Sequence, residues 1–400
     1  MRIAVLLINV DLNYAGGVTQ FAKGISKGFS EIATTTDSVI FYVTDSNKSI
    51  LENITENSNV TIRILSNSNN NKSMLHKIYQ KINYRLKYFL PLEMLSRKIY
   101  SNLVKEIEAD ADIIYTPYGP PPIFPYTQKK MAFSIHDIQH EYFPEFFTDA
   151  QLAERKYTFR TCVRNANLIQ ASSNQMKSNF LATYTHLKED QVFLAPEGVD
   201  LNFWSSPCED ALQLGDIYGI NDRYIYLPAQ LWKHKNHKTV LLALFHLRKK
   251  GEVLHLVLSG ARYSGADEIF QLIEELDMKE LVHYLGVIPV EHVRELMRYS
   301  VCVISAALYE SSSLPILETL AAGGRVLAGN TPPNIELSNK LNFDLFDNLS
   351  PESCAAAIMK IIDTSFSPTL KISLTDFEWK NVSKIYFENF RKISAVTNHE

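Results

Sequence analysis

Short apolar runs rich in Ile, Val and Tyr alternate along the chain with longer stretches whose apolar residues recur at helical spacing. That is the pattern of a parallel sheet with helices on both faces. The runs predict strands over Ile3–Val10, Ser38–Val43, Val60–Leu65, Asp112–Tyr115, Met131–Ile135, Leu168–Ala171 and Val192–Leu194, enough for one Rossmann-like domain. Pro196–Asp222, with Gly198, Pro207, Gly215 and Gly219, shows no sustained period and predicts a linker. Strands resume over Tyr224–Leu227, Leu254–Leu258, His283–Leu285, Val301–Ser305 and Val326–Ala328, a second Rossmann-like domain. The amphipathic segment Phe377–Ile393 lies beyond the last strand that domain needs, so it is expected to pack elsewhere.

Composition narrows the class without naming a function. With 400 residues, 46% hydrophobic and 21% charged, the chain reads as folded and globular, which excludes disordered, collagen-like and coiled-coil proteins. A formal net charge of -4 gives no global attraction to nucleic acid or to an anionic membrane. Cys162, Cys208, Cys302 and Cys354 are far apart with no CxxC pair, so neither a zinc cluster nor a disulfide scaffold is suggested and a reducing compartment fits. The apolar run at the N-terminus ends at Asp11 and Asn13 without a small-residue cleavage site, so it reads as a buried strand, not a leader. No run approaches the roughly 18 apolar residues of a membrane-spanning helix. Without a secretory leader the Asn-x-Ser/Thr triplets at Asn47, Asn53 and Asn59 carry no weight, and the polar run Ser66–Ser73 predicts a loop.

In an open doubly wound sheet ligands bind beyond the carboxyl ends of the strands, where helix N-termini present free N–H groups. The first strand is followed by Tyr14-Ala15-Gly16-Gly17-Val18, in which two glycines allow close backbone approach to a phosphate or sugar; a plain strand-to-helix turn fits equally. The sharper constellation is ALYESSSLPILETLAAGG. Glu310 stands in the loop after a predicted strand, Pro315 suits a first helical turn, Gly323 and Gly324 suit its end, and Glu318 falls about one turn into the helix. Two carboxylates beside the amides of Ser311, Ser312, Ser313 and Leu314 suit a polyhydroxylated anion such as a sugar nucleotide, because carboxylates accept from hydroxyls and amides bind phosphate. Ordinary acidic capping of a helix N-terminus is the bland alternative.

Glu310 and Glu318 are separated by seven residues, and ESSSLPILETLAAGGRVLAGNTPPNIE resembles the E-x7-E signature of glycosyltransferase family 4, retaining enzymes of the GT-B fold. Supporting matches are the glycines at Gly16, SIHDIQHEYFPEFF around His136, ASSNQMKSNF from Ala171, PEGVD from Pro196 and AQLWKHKNH from Ala229. The resemblance implies two Rossmann-like domains facing across a cleft, 1–198 for the acceptor and 199–376 for the nucleotide-sugar donor, with a C-terminal helix, about 377–394, crossing back to the first. It implies that Glu310 binds the donor sugar's hydroxyls, Glu318 the ribose, Lys235 the leaving diphosphate and Gly17 a phosphate, with His136 near the reacting sugar. Where the family usually carries an arginine, this chain has Gln230 in Ala229-Gln230-Leu231, a string known from several branches; Ser312-Ser313 replace a common glycine. Lys233, Lys235 and the Ser311–Leu314 amides are therefore expected to converge on the diphosphate in the arginine's place.

Three further motifs are weighed. Asp110-Ala111-Asp112 matches the D-x-D metal motif of the other large glycosyltransferase fold but precedes its strand, at the wrong end for the crevice. His234 and His237 could suggest a metal, but the flanking lysines repel a cation, so no metal site is expected. Lys72–Lys98 carries one acidic residue, Glu93, and reads as a basic amphipathic helix with Lys77, Lys81 and Arg85 in an i, i+4 row; it fits either an anionic membrane surface or a solvated face. The expectation is a retaining, metal-independent hexosyltransferase needing no cofactor, with a nucleotide diphosphate sugar as donor and a glycan or lipid-linked glycan as acceptor. It would be cytoplasmic, at the inner face of the plasma membrane, and would have no nucleic-acid partner. A catalytically silent sugar-nucleotide-binding subunit and a nucleotide-sugar epimerase are the alternatives, the epimerase disfavoured by the E-x7-E string.

Overall fold

A computed structural model describes residues 1–8, 10, 12, 16–65, 102–119, 127–206, 213–364 and 373–395. The chain forms two compact units, Met1–Glu197 with Trp379–Glu400, and Gly198–Glu378.

The first unit holds a seven-stranded parallel sheet, β1 (Arg2–Leu6), β2 (Ser38–Thr44), β3 (Val60–Leu65), β4 (Ile113–Thr116), β5 (Lys130–Ser134), β6 (Leu168–Ala171) and β7 (Val192–Leu194), in the order β3-β2-β1-β4-β5-β6-β7. The second holds six parallel strands, β8 (Tyr224–Pro228), β9 (His255–Ser259), β10 (Val282–Tyr284), β11 (Cys302–Ser305), β12 (Val326–Gly329) and β13 (Asp344–Phe346), in the order β10-β9-β8-β11-β12-β13. In each sheet the order reverses once, between β1 and β4 and between β8 and β11, and those switch points are where a doubly wound sheet opens a crevice.

Three expectations are corrected. β1 stops at Leu6 although the apolar run continues: Leu7 and Val10 are buried but in a turn, where Asn47 Nδ2 donates to the carbonyls of both at 2.8 and 3.0 Å. β13 was not foreseen, because Asp344-Leu345-Phe346 is short, opens on a charge and lacks β-branched residues; pairing with β12 makes it a strand. The stretch read as a linker contains helices Leu201–Ser205 and Gln213–Tyr218. The first is fastened down: Arg298 donates to the Trp204 and Ser206 carbonyls and Arg294 to that of Phe203, both guanidiniums paired with buried Glu295.

The C-terminal helix, Trp379–Ala395, belongs to the first unit and packs on helix Gly17–Ile32. Glycine permits the approach: a Cβ on Gly24 would lie 2.0 Å from Trp379 Cε2, and one on Gly28 would lie 2.5 Å from the Trp379 carbonyl oxygen. Phe29 meets Phe387 edge to face at 5.0 Å, and Tyr115, Tyr386 and Phe390 complete a buried aromatic cluster.

Candidate functional site

At the second switch point the loops after β8 and β11 meet. After β8 the chain runs alongside the β9 loop: Leu231 N–H donates to Ala261 O at 3.0 Å, and Gly260, at φ +135, passes where a Cβ would lie 2.7 Å from Ala229 O. A short 3-10 turn, Lys233–Lys235, then leads to Asn236, left-handed at φ 56, and helix His237–Lys249. Lys235 Nζ lies 2.9 Å from Glu310 Oε1, with the Glu310 side chain 10% exposed and the Lys235 side chain 26%. Glu310 is followed by buried Ser311 and Ser313 and by helix Leu314–Ala322, with a proline in its first turn and Gly323 at φ 82 closing it. The Ser313 hydroxyl makes no capping bond and lies 3.3 Å from Ser305 Oγ; Ser312, like Glu318 on the helix, is half-buried. The Glu318 charge reaches the Tyr226 phenol, which burial already raises and which pairs with Ser259 Oγ at 2.6 Å.

The expected convergence of cations is only in part what the structure shows. Lys235 is beside Glu310, but Lys233 Nζ lies 3.6 Å from Glu268, on helix Ala266–Glu275. Gln230 is held by its carbonyl end: Trp232 Nε1 donates to Gln230 Oε1 at 2.9 Å, and the indole stacks on Tyr263 at 3.9 Å and 10°. His237 is buried at the start of its helix, and burial pushes it down to about 4, so it is neutral. Among the described residues no group of three or more side chains could hold a metal ion.

In the first unit, Gly16 precedes helix Gly17–Ile32, and Thr19 and Gln20 N–H donate to its carbonyl at 3.1 and 3.2 Å. Gly17 thus opens the helix at the carboxyl end of β1. His136 follows β5, with Nε2 2.8 Å from Pro117 O and its ring edge-on to Phe21 at 4.5 Å. Its Nδ1 lies 3.7 Å from buried Glu197, just after β7. Glu197 lies within the PEGVD string, and its signal in the sequence is a carboxylate shortly beyond a predicted strand. Asp110 and Asp112 lie at the amino end of the sheet: Asp112 accepts from Arg2 Nη2 and N at 2.8 Å, and Asp110 from Tyr42 OH at 3.0 Å. Burial opposes the Asp112 charge, but the Arg2 hydrogen bonds outweigh it and hold the carboxyl below its ordinary range. Lys77, Lys81 and Arg85 lie outside the described residues.

Residues 218–371 match the family model described as glycosyl transferases group 1. The chain is 23% identical over 221 residues to O-antigen chain mannosyltransferase B of Escherichia coli, covering 55% of this chain and 57% of that one. Over 269 residues it is 23% identical to alpha-maltose-1-phosphate synthase of Mycolicibacterium smegmatis, covering 59% of this chain and 66% of that one. Each match therefore spans less than two thirds of the relative. Among solved structures, Anabaena HepE in complex with UDP-glucose superposes with a TM-score of 0.67 at 17% identity, over 99% of this chain and 100% of that one. Sucrose-phosphate synthase from Thermosynechococcus elongatus gives 0.68 at 16% identity over 99% of both. The fold is that of the GT-B glycosyltransferases.

Proposed function

We propose that the protein is a retaining glycosyltransferase moving a hexose or deoxyhexose, of mannose, glucose or rhamnose type, from a nucleotide diphosphate sugar to a hydroxyl of a glycan or lipid-linked glycan. The second unit is the donor-binding half and the first the acceptor-binding half. The product is a bacterial surface polysaccharide, O-antigen or capsule, built in the cytoplasm at the inner face of the plasma membrane; among the described residues no helix is long and apolar enough to cross a membrane. The observation that carries the reading is the Lys235–Glu310 pair, 2.9 Å apart at a switch point and inside the segment that matches the family model.

In the transfer, the bond from the anomeric carbon to the diphosphate oxygen breaks, its electron pair leaves with the diphosphate, and the acceptor oxygen bonds to that carbon while its proton passes to the departing diphosphate. Lys235 neutralises the departing charge, together with the amides of Ser311–Leu314; fixed donors of this kind act without reorganising as charge develops. Glu310 accepts from the sugar's hydroxyls and holds Lys235 in place before the donor arrives. Glu318 takes the ribose, Gly17 lets the backbone approach a phosphate, and His136 stands near the reacting sugar. No metal is needed for this distribution of charge.

Thermal-shift screening against nucleotide sugars identifies the donor, since a ligand at 100 times its dissociation constant stabilises by about 2.7 kcal/mol. Donor hydrolysis without acceptor then tests the chemistry. Glu310→Gln should lower turnover at least about a hundredfold, roughly 2.7 kcal/mol, with an unchanged melting temperature. Near-normal turnover in that variant refutes the assignment, and a wild-type chain that binds a sugar nucleotide yet releases no sugar is a binding subunit.

A further inference from the structure

Lys235 and Glu310 stand on different loops, and their ion pair is one of several links between them. Two asparagines make most of the remaining links. Asn236, next to Lys235, donates from Nδ2 to Ala306 O at 3.1 Å and to Asn348 O at 2.7 Å, while its Oδ1 accepts from Thr239 Oγ1 at 3.0 Å. Asn348, after β13, donates from Nδ2 to Ala307 O at 2.8 Å, and its N–H reaches Asn330 Oδ1, after β12, at 3.4 Å. Leu308 N–H donates to His234 O at 2.8 Å. Three consecutive residues leading from β11 towards Glu310 are thus pinned, two of them by asparagine side chains and the third by the residue before Lys235.

The surroundings are shaped for this clasp. Asn348 is 8% exposed and Asn334, which donates to Gly329 O at 2.9 Å, is 1% exposed. A Cβ on Gly329 would lie 2.7 Å from Asn348 Cβ, so only glycine leaves room for the Asn348 side chain. Asn236 holds the left-handed conformation, which asparagine tolerates better than most side chains. The half-buried Asn236 amide is bonded at both ends and the buried Asn348 amide at its nitrogen, so displacing the loop leaves those polar groups unpaired.

We propose that Asn236 and Asn348 are positioning residues that set the distance between Lys235 and Glu310, acting on transfer only through that pair. The inference rests on the donor-site reading above for its consequence in the reaction, but not for the geometry it asserts. If Lys235 stabilises the departing diphosphate, loosening the clasp lowers kcat more than it raises KM, since the lost interaction belongs to the transition state.

Asn236→Gly is the informative variant: it keeps the left-handed conformation without strain and removes every side-chain bond. In the full-length protein it should cut kcat by tenfold or more with KM changed less than threefold, and the loss should vanish in a Lys235→Ala background, where Asn236→Gly adds nothing. Equal losses with and without Lys235 overturn the proposal. An independent readout needs no substrate: acetylation of Lys235 by an acylating reagent, followed by mass spectrometry, should be several-fold faster in Asn236→Gly because the ammonium is no longer held at Glu310. Unchanged Lys235 labelling overturns it as well. Faster labelling in a chain that transfers no sugar from any donor sustains the clasp and refutes the enzymatic reading instead. If Asn236→Gly fails to fold, Asn348→Asp, which keeps the side-chain shape and replaces the amide donor with an acceptor facing Ala307 O, is scored by the same two measurements.

Discussion

Gly28→Ala sets two effects of opposite sign against each other. In an exposed helix interior, alanine in place of glycine stabilises by about 1 kcal/mol through backbone entropy. Here the new Cβ would meet Ser383 Oγ at 2.2 Å and the Trp379 carbonyl oxygen at 2.5 Å. The hydroxyl can rotate away; the carbonyl belongs to the backbone of the C-terminal helix and cannot. Restoring an ordinary contact of about 3.5 Å moves that helix out by roughly 1 Å, a gap that forfeits a quarter to a half of each dispersion contact across the interface. The side chains that lose contact are large and fully buried: Tyr386, Phe387 and Phe390 against Phe29. Overpacking costs about 1 to 3 kcal/mol by itself, and with the opened interface the loss reaches roughly 3 to 5. Subtracting the helix-propensity gain leaves about 2 to 4 kcal/mol of destabilisation, a fall of roughly 5 to 10 °C in the melting temperature. Calorimetry on the full chain measures it, and Gly24→Ala combined with Gly28→Ala should lose less than the sum, since both push the same helix. A melting temperature that holds or rises in Gly28→Ala would show that the close packing of the two helices is misread.

Acid should destabilise the second unit through His237. Its folded value is lowered from 6.5 to about 4 by burial, so between those values the unfolded chain binds the extra proton and stability falls as pH drops from 6.5 towards 4. The loss is at most ~3 kcal/mol, and His237→Gln should flatten that limb of a denaturant-midpoint profile; an unaltered limb assigns it to other groups. Chelator should leave transfer intact, whereas abolition with rescue by magnesium or manganese would revive the Asp110 and Asp112 reading. Replacing Lys77, Lys81 and Arg85 with Gln should weaken binding to anionic vesicles by about 1 kcal/mol per charge in a salt-dependent way, and unchanged binding would mark a solvated face.

What the sequence made legible was whatever depends on local pattern. Apolar runs located twelve strands of the two sheets, and the strand-then-glycine or strand-then-proline order placed Gly17 at a helix start and Glu310 in the loop before one. β13 escaped because its strand state comes from β12 beside it and not from its own residues. The clasp escaped for a similar reason: Asn236 and Asn348 are 112 positions apart, and a polar residue in a loop gives no sign of which distant carbonyl it will meet. Adjacency to Lys235 does not give Lys233 the same direction, because successive residues of a 3-10 turn point about 120° apart, and Lys233 lies 3.6 Å from Glu268.

The Lys233–Glu268 pair sharpens the question of how the proposed reaction proceeds without an arginine at Gln230. A charged fork to the diphosphate would contribute about 1.5 to 3 kcal/mol, and its absence costs ten- to a hundredfold in rate unless another group supplies it. With Lys233 beside Glu268 and Gln230 Oε1 accepting from Trp232, the proposed reading puts the burden on Lys235 and on the amides from Ser311 to Leu314. Lys235→Ala also takes the Lys235 cation from Glu310 in a site where that carboxylate is 10% exposed, so on the proposed reading it removes an interaction with the leaving group and misplaces Glu310 together. Lys235→Ala should therefore be at least as damaging as Glu310→Gln, about a hundredfold or more in kcat. Gln230→Ala removes only a neutral donor and the seat of the Trp232 indole, about 0.5 to 1.5 kcal/mol, or two- to tenfold. Lys233→Ala, losing an exposed ion pair, should fall within twofold of wild type. Steady-state kinetics on the three variants decide the matter: a severe Lys233→Ala or Gln230→Ala beside a mild Lys235→Ala would place the diphosphate at the Gln230–Lys233 stretch of the loop after β8 rather than at Glu310.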